Sequence, residues 1–302
     1  MKTLIVKLGA TGDVVRTTSL LRRLKGQVTW VTTSRNKVLL ENLDGLPVDL
    51  RVVNWEDRSS IADQSFDLLI HLEDDVETAS IQKIVRADRY FGARSDGNGG
   101  MTYTDDASRW FDLSLISVYG NKKADDLKLR NRRTYQELIF EGLGLEFSGE
   151  EYFLPPTPES DLRGDIAIAS EAGPVWPMKK WAHFDWLKTE LEKQGLKVNF
   201  LPTRPTLLEH LADVRGHRCV VSGDSLPMHL ALGSRVPCVA LFNCTSPWEI
   251  HDYGILTKLV SPQLAEYFYK RGFDPLATTA ISRDEVLASV LRSIGSNGAL
   301  SH

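Results

Sequence analysis

Short apolar runs alternate with amphipathic segments twice over in this chain, and Tyr152-Phe-Leu-Pro-Pro-Thr-Pro158 separates the two series. Strands that alternate with helical patterns build βαβ units and parallel sheets. Clustered prolines continue neither a helix nor a central strand, so the segment reads as a linker. A chain of 302 residues is long for one core, since cores stop growing at about 250 to 300 residues, and comfortable for two domains. The expectation is an α/β protein with domains over 1–154 and 159–302.

In the first domain, strands are expected at Thr3 to Leu8, Val28 to Thr33, Leu50 to Asn54, Phe66 to Leu72 and Arg89 to Phe91. Val14, Thr18, Leu21 and Lys25 share one helical face that Gly26 closes. The polar, glycine-rich stretch Ser95 to Asp106 reads as a mobile loop, and the basic segment Lys122 to Arg133 leads into a helix ending near Gly142. In the second domain, strands are expected at Asp165 to Ala169, Lys197 to Leu201, Arg218 to Ser222 and Val236 to Phe242. Phe184, Leu187 and Leu191 lie on one face of a helix over His183 to Gln194, capped by Gly195. Ser282-Arg-Asp-Glu285 is a capping box for the last helix, which Gly295 ends.

The formal net charge of −4 argues against a nucleic-acid binder that relies on global positive charge. Three cysteines, Cys219, Cys238 and Cys244, lack metal-ligand spacing and read as buried thiols in a reducing compartment. No run approaches the roughly 20 apolar residues that span a bilayer, and the chain starts straight into a strand, without the charged leader and apolar stretch of a secretory signal. A cytoplasmic location is expected, with peripheral attachment to a membrane surface left open.

Two strand-to-helix turns carry the chemistry: Lys7-Leu-Gly-Ala-Thr-Gly-Asp13 and Ser222-Gly-Asp-Ser-Leu-Pro-Met-His229. Ligands of open parallel sheets bind outside the carboxyl ends of the strands, so two such turns point to two sheets and two substrates sharing one cleft. In the first turn, Gly9 and Gly12 read as permitting a tight turn, and Asp13 falls at a helix start, where a carboxylate is equally suited to plain capping. Gly9-Ala-Thr-Gly12 also matches the opening of a nicotinamide-cofactor fingerprint, but Val15 stands where a further glycine is needed. Tyr119-Gly-Asn-Lys-Lys123 has the Tyr-x-x-x-Lys spacing of short-chain dehydrogenases, a match expected by chance among eight tyrosines.

In the second turn, free amides, the Ser225 hydroxyl and the helix dipole behind Pro227 make a site for phosphate. Asp224 and Ser225 serve equally well as caps, and His229 as a buried histidine. Between the turns, Gly173-Pro-Val-Trp-Pro-Met-Lys-Lys-Trp181 joins a strand to a helix. Lys179 or Lys180 there brings an ammonium to a leaving pyrophosphate.

On these residues the chain resembles glycosyltransferase family nine, the ADP-heptose:lipopolysaccharide heptosyltransferases. The resemblance is carried by Lys7 to Asp13 followed by Thr17-Thr18-Ser19-Leu20, by Ser222 to Ala231, and by Val236-Pro237, Thr245-Ser-Pro247, Tyr253-Gly254 and Lys179-Lys180-Trp181. It implies the GT-B fold: two facing Rossmann-like domains with the active site in the interdomain cleft, acceptor on the first and nucleotide sugar on the second, the last helix free to pack back on the first. It implies an inverting, metal-independent transfer of a heptose or related sugar from an ADP-sugar to an acceptor hydroxyl, in the lipopolysaccharide core or a related glycan. No cofactor is implied beyond the nucleotide-sugar co-substrate, ADP-heptose by resemblance.

By the same resemblance, Asp13 is the general base and Lys179 stabilises the leaving diphosphate. Gly223, Asp224, Ser225, Leu226, Pro227, Met228, His229 and Thr245 hold the donor. Thr11, Gly12, Arg16 and Thr17 face a glycan or glycolipid acceptor. The basic residues Arg16, Arg22, Arg23 and the Lys122 to Arg133 segment read equally as a face for anionic groups of the acceptor, with peripheral contact at the cytoplasmic face of the inner membrane, and as plain solvated helix faces.

The chain departs from the family pattern in places. Leu226 replaces a glycine beside the diphosphate, Ser246 an aspartate and Lys7 an arginine. Pro202-Thr-Arg-Pro205 stands where an acidic residue follows the second strand of the donor domain. Two other readings stay open at this point: an NAD(P)-dependent oxidoreductase built on the first turn, and a nucleotide-sugar-binding protein without catalysis, motivated by Leu226.

Overall fold

The computed structural model describes residues 1–107, 110 and 116–295. The chain divides into two compact units, Met1–Pro156 and Thr157–His302.

The first unit holds β1 (Lys2–Val6), β2 (Gly26–Thr32), β3 (Val48–Asn54), β4 (Ser65–His71), β5 (Arg86–Ser95) and β6 (Met101–Tyr103), in the spatial order 3-2-1-4-5-6. Only β6 is antiparallel to its neighbour. This is the doubly wound Rossmann order, with helices covering both faces. The covering is legible in β1 itself: Ile5 packs with Val14, Leu21, Trp30 and Phe91 on one face, and Leu4 and Val6 pack with Val31, Leu69 and Ile81 on the other. A strand buried on both sides reads as a continuous apolar run rather than an alternation.

Two expectations for this unit are corrected. The helix after β1 is α-helical only over Thr11–Thr17 and tightens to a 3₁₀ helix over Thr18–Arg22. Three hydroxyls bond back into it: Thr17 to the Asp13 carbonyl at 2.6 Å, Thr18 to Val15 at 2.6 Å and Ser19 to Arg16 at 2.9 Å. Such back-bonding competes with the regular i−4 ladder. The stretch Ser95 to Asp106 is an ordered hairpin arm: Ser95, Arg94 and Ala93 pair with Met101, Thr102 and Tyr103. Asp96 closes its tip by accepting from the Asn98 and Gly100 amides at 2.7 and 2.8 Å. A three-residue strand is too short to register as a period in the sequence.

The second unit holds β7 (Gly164–Ala169), β8 (Val198–Phe200), β9 (His217–Gly223), β10 (Cys238–Phe242) and β11 (Leu256–Val260), all parallel, in the order 11-10-9-7-8. Counted within the unit this is 2-1-3-4-5, the flavodoxin-like variant of the doubly wound parallel sheet. The short β8 is one edge of the sheet, and β11, which the sequence reading passed over, is the other. Ile166, Ile168, Trp181, Phe184, Leu187, Leu191, Val221 and Leu241 form the core, and Val286, Val290 and Ile294 of the helix Arg283–Gly295 complete it.

All three cysteines are buried and free. Burial pushes the Cys219 thiol up to about 12 and Cys244 up to about 11, and it raises Cys238 as well, with the neighbouring Cys219 adding to the effect. Among the described residues, no helix is long and apolar enough to cross a membrane.

Gly92 lies opposite His71 in the β4–β5 ladder with φ at +100°, and a Cβ there would stand 2.0 Å from the His71 carbonyl oxygen. Gly92→Ala is therefore expected to cost about 1–3 kcal/mol of stability, read as a lower urea midpoint. An unchanged midpoint would contradict the close approach of β5 to the end of β4.

Candidate functional site

The strand order of the first sheet reverses between β1 and β4, and the turn after β1 sits at that point. Glu73, two residues past β4, secures the turn from one side. Its Oε1 accepts from the Leu8 amide at 2.6 Å and the Gly9 amide at 3.1 Å, and pairs with the Lys7 ammonium at 3.1 Å. Lys7 also donates to the Leu72 carbonyl at 3.2 Å. From the other side, Asn36 donates to the Leu8 carbonyl at 2.6 Å and accepts from the Thr11 hydroxyl at 2.8 Å.

Gly9 needs no glycine geometry, since a Cβ there would meet nothing within 4 Å, and Gly12 lies inside the helix. The tight-turn role expected of the two glycines is corrected accordingly: the turn is held by side chains.

Asp13 lies in the first turn of the helix, whose N-cap is Ala10. The Asp13 carboxylate meets Arg16 at 3.0 Å and is one third exposed, at 33%. Arg16 is largely buried, with its guanidinium 3.8 Å from the centroid of the Tyr135 ring. The Tyr135 hydroxyl lies 2.7 Å from that of Thr17, and burial raises its pKa so that it stays neutral. Arg16 and the fully buried Thr17 thus support Asp13 from beneath.

Arg22 and Arg23, expected at an acceptor, are committed to their own unit. Arg22 donates to the Glu151 carbonyl at 2.6 Å and stacks on Phe153, and Arg23 pairs with Glu150 at 2.6 Å.

The order of the second sheet reverses between β7 and β9, and the second turn lies there. Gly223 ends β9, and a Cβ on it would come within 2.7 Å of the Lys179 carbonyl. That close approach brings the Lys179 ammonium to 2.8 Å from the Asp224 carbonyl and 3.2 Å from its carboxylate. Lys179 ends the 3₁₀ turn Pro177–Lys179. Met178, buried with Cys244, Tyr267 and Ala277, fixes that turn on one side, and the fully buried Trp181, bonded to the Ile281 carbonyl at 3.1 Å, fixes it on the other. Lys180 is 48% exposed and pairs with Glu171 at 3.2 Å, so of the two lysines it is Lys179 that the fold delivers to the turn.

Burial alone would raise the Asp224 pKa, but Lys179, His229 and the Thr245 hydroxyl outweigh it and hold the carboxyl below its ordinary value. Ser225 is the N-cap of the helix Leu226–Gly233 without making a cap bond. Its hydroxyl lies 3.0 Å from that of Ser222. Pro227 carries no N–H and the Met228 amide donates to the Ser225 carbonyl at 3.1 Å, so Leu226 supplies the open amide at the start of this helix. His229 and Met228 are buried, while Leu226 and Pro227 are half-buried at the mouth. Thr245 and Ser246 are buried at the carboxyl end of β10.

Beside the turn, Glu171, Lys180, Trp181, Phe184, Phe200 and Thr203 line part of a cavity of about 430 Å³ at the ends of β7 and β8. Glu171 and Glu73 are the functional candidates that sequence reasoning missed. Each carboxylate follows an apolar strand by two residues, which is the signal that was available.

The features of a dehydrogenase do not come together. Val15 is fully buried where the fingerprint requires glycine, and Tyr119, 57% exposed, stands with an exposed Lys123 on the surface. Among the described residues, no group of three or more His, Cys, Asp or Glu side chains converges on a metal-sized site.

No family model and no curated protein matches the sequence. Solved structures do match. A glycosyl transferase family 9 protein from Veillonella parvula DSM 2008 aligns with a TM-score of 0.65 at 18% identity, over 98% of this chain and 97% of that one. The chain shares the fold of that family 9 protein. The E. coli ADP-heptose lps heptosyltransferase II aligns at 0.60 with 14% identity, over 99% and 100% of the two chains. E. coli heptosyltransferase WaaC with ADP aligns at 0.60 with 15% identity, over 97% and 100%. The family 9 fold thus spans both units and both turns.

Asp224 has a lowered pKa in the folded protein, so its contribution to stability is full above the unfolded carboxylate value and is lost as pH falls through the folded one. Lys179→Met removes the main opposing charge. It is expected to cost about 1–3 kcal/mol at pH 7 and less near pH 3, as measured by urea denaturation at both pH values. An equal loss at the two pH values would show that the ion pair is not the source.

Proposed function

We propose that the protein is an inverting, metal-independent glycosyltransferase that moves a heptose or related sugar from ADP to a hydroxyl of a glycan or glycolipid. The acceptor belongs to the lipopolysaccharide core or a related glycan, met at the cytoplasmic face of the inner membrane. The observation that carries this reading is the second turn: the Lys179 ammonium, the Ser225 hydroxyl and the Leu226 amide at a helix start lie where the strand order reverses. That is the chemistry of diphosphate binding. The solved neighbours support the donor class, since E. coli WaaC is described with ADP and with ADP-2-deoxy-2-fluoro heptose.

In this reading the second unit binds the donor and the first the acceptor, the division of labour of a GT-B enzyme. The nucleoside occupies the cavity at the ends of β7 and β8, with Glu171 as acceptor for its ribose hydroxyls. The diphosphate rests against Lys179, the Ser225 hydroxyl and the Leu226 amide at the start of the Leu226–Gly233 helix. Asp224 and His229 hold Lys179 and the turn in place, and Leu226 and Thr245 shape the space around the donor. Thr11 and Gly12 border the acceptor.

The acceptor hydroxyl attacks the anomeric carbon while Asp13 takes its proton, and the bond from that carbon to the diphosphate oxygen breaks. One displacement inverts the anomeric centre. Lys179 and the positive end of the Leu226–Gly233 helix stabilise the charge that develops on the departing ADP.

Stabilisation by ADP, UDP and GDP in thermal-shift titrations tests the donor class, with about 2.7 kcal/mol expected at a hundredfold excess over the dissociation constant. ADP is expected to be preferred. Asp13→Asn is expected to lower transfer by about 10²–10⁴-fold while leaving ADP binding unchanged, with ADP release on acceptor addition as the readout. Full activity in that variant would sink the general-base assignment.

A further inference from the structure

The proposed reaction expels a diphosphate carrying several negative charges, yet the Lys179 ammonium and Asp224 carboxylate cancel one another across 3.2 Å. Stabilising such a leaving group calls for more positive charge. Lys180 does not supply it freely, being engaged by Glu171 at 3.2 Å.

Arg271 is placed differently. It is exposed, its guanidinium lies 5.0 Å from the centroid of the Trp176 ring, and among the described residues it has no carboxylate partner. Trp176 immediately precedes the 3₁₀ turn that ends in Lys179, and its carbonyl accepts from the Lys179 amide at 3.1 Å.

The segment that carries Arg271 is tied to the other wall of the same turn. Tyr269 meets the Trp176 ring edge-on, with centroids 5.3 Å apart, and donates its amide to the Cys244 carbonyl at 2.8 Å. Cys244 precedes Thr245, which stands beside Asp224, and packs with Tyr267 and Met178. Tyr269 holds a left-handed φ of +49°, a conformation that an aromatic residue keeps only where its surroundings impose it. Two separate attachments therefore fix the reversal that returns Arg271 over Trp176.

A guanidinium stacked on an indole keeps its full charge, and its in-plane donors remain available for paired bonds to phosphate oxygens. We infer that Arg271 is the second cationic ligand of the donor diphosphate and that Trp176 is the surface that positions it. The inference rests on the glycosyltransferase reading for its ligand. It adds a charge that the two turns lack, on a segment outside both.

Calorimetric titration of wild type, Arg271→Gln and Arg271→Lys with ADP, adenosine and inorganic pyrophosphate tests it. Arg271→Gln is expected to weaken ADP and pyrophosphate about tenfold or more and to leave adenosine unchanged. Arg271→Lys should fall between, because it restores charge without the planar fork. Since Arg271 is exposed, the thermal midpoint of the free protein should not move.

ADP and pyrophosphate bound equally well by wild type and Arg271→Gln would overturn the assignment while leaving the glycosyltransferase reading intact. Pyrophosphate binding that depends on Arg271, without any binding of ADP, would support the cationic site and sink the ADP-sugar donor. Wild type that binds neither ligand overturns both.

Discussion

Both units depend on one constraint of parallel sheets. Successive crossovers are right-handed, so a sheet that grows outward in both directions must send its connections to opposite faces. Where the directions part, the carboxyl ends of two neighbouring strands are left with no loop crossing between them. In the first unit that place is the end of β1 beside β4, and in the second the end of β7 beside β9. The backbone groups exposed there need partners, and each turn solves the problem with different side chains.

The first turn uses one carboxylate for structure and holds another ready. Glu73 is consumed by two amides and an ammonium, while the Asp13 carboxylate remains one third exposed. Arg16 and Tyr135 then orient Asp13 without covering it. The second turn reverses the balance: Asp224 is the structural carboxylate, and the group it positions is the Lys179 ammonium. One unit therefore presents a partly exposed carboxylate beside its turn and the other an ammonium.

The two turns and most of the strands were legible in the sequence because both leave local marks: a continuous apolar run followed by Gly, Asp or Ser. What escaped was set at long range. Glu73 acts on residues sixty-five positions away, and the requirement for glycine at 223 comes from the Lys179 carbonyl. The choice between Lys179 and Lys180 was decided by where Met178 and Trp181 are buried. The order of the second sheet was hidden for a similar reason, since no residue of β8 states that it will be an edge. β6 and β11 are short edge strands with little apolar patterning, and Arg22 and Arg23 looked like a binding face only because their partners, Glu150 and Glu151, lie across the unit.

The buried thiols give the molecule a practical property. Cys219, Cys238 and Cys244 are all shielded from solvent, and their raised pKa values keep them in the unreactive thiol form. The native protein is therefore silent toward maleimides and similar electrophiles without removal of any cysteine. A single cysteine introduced on the surface of either unit would take up a probe selectively, so local changes around one chosen position are open to direct optical measurement in an otherwise unaltered protein.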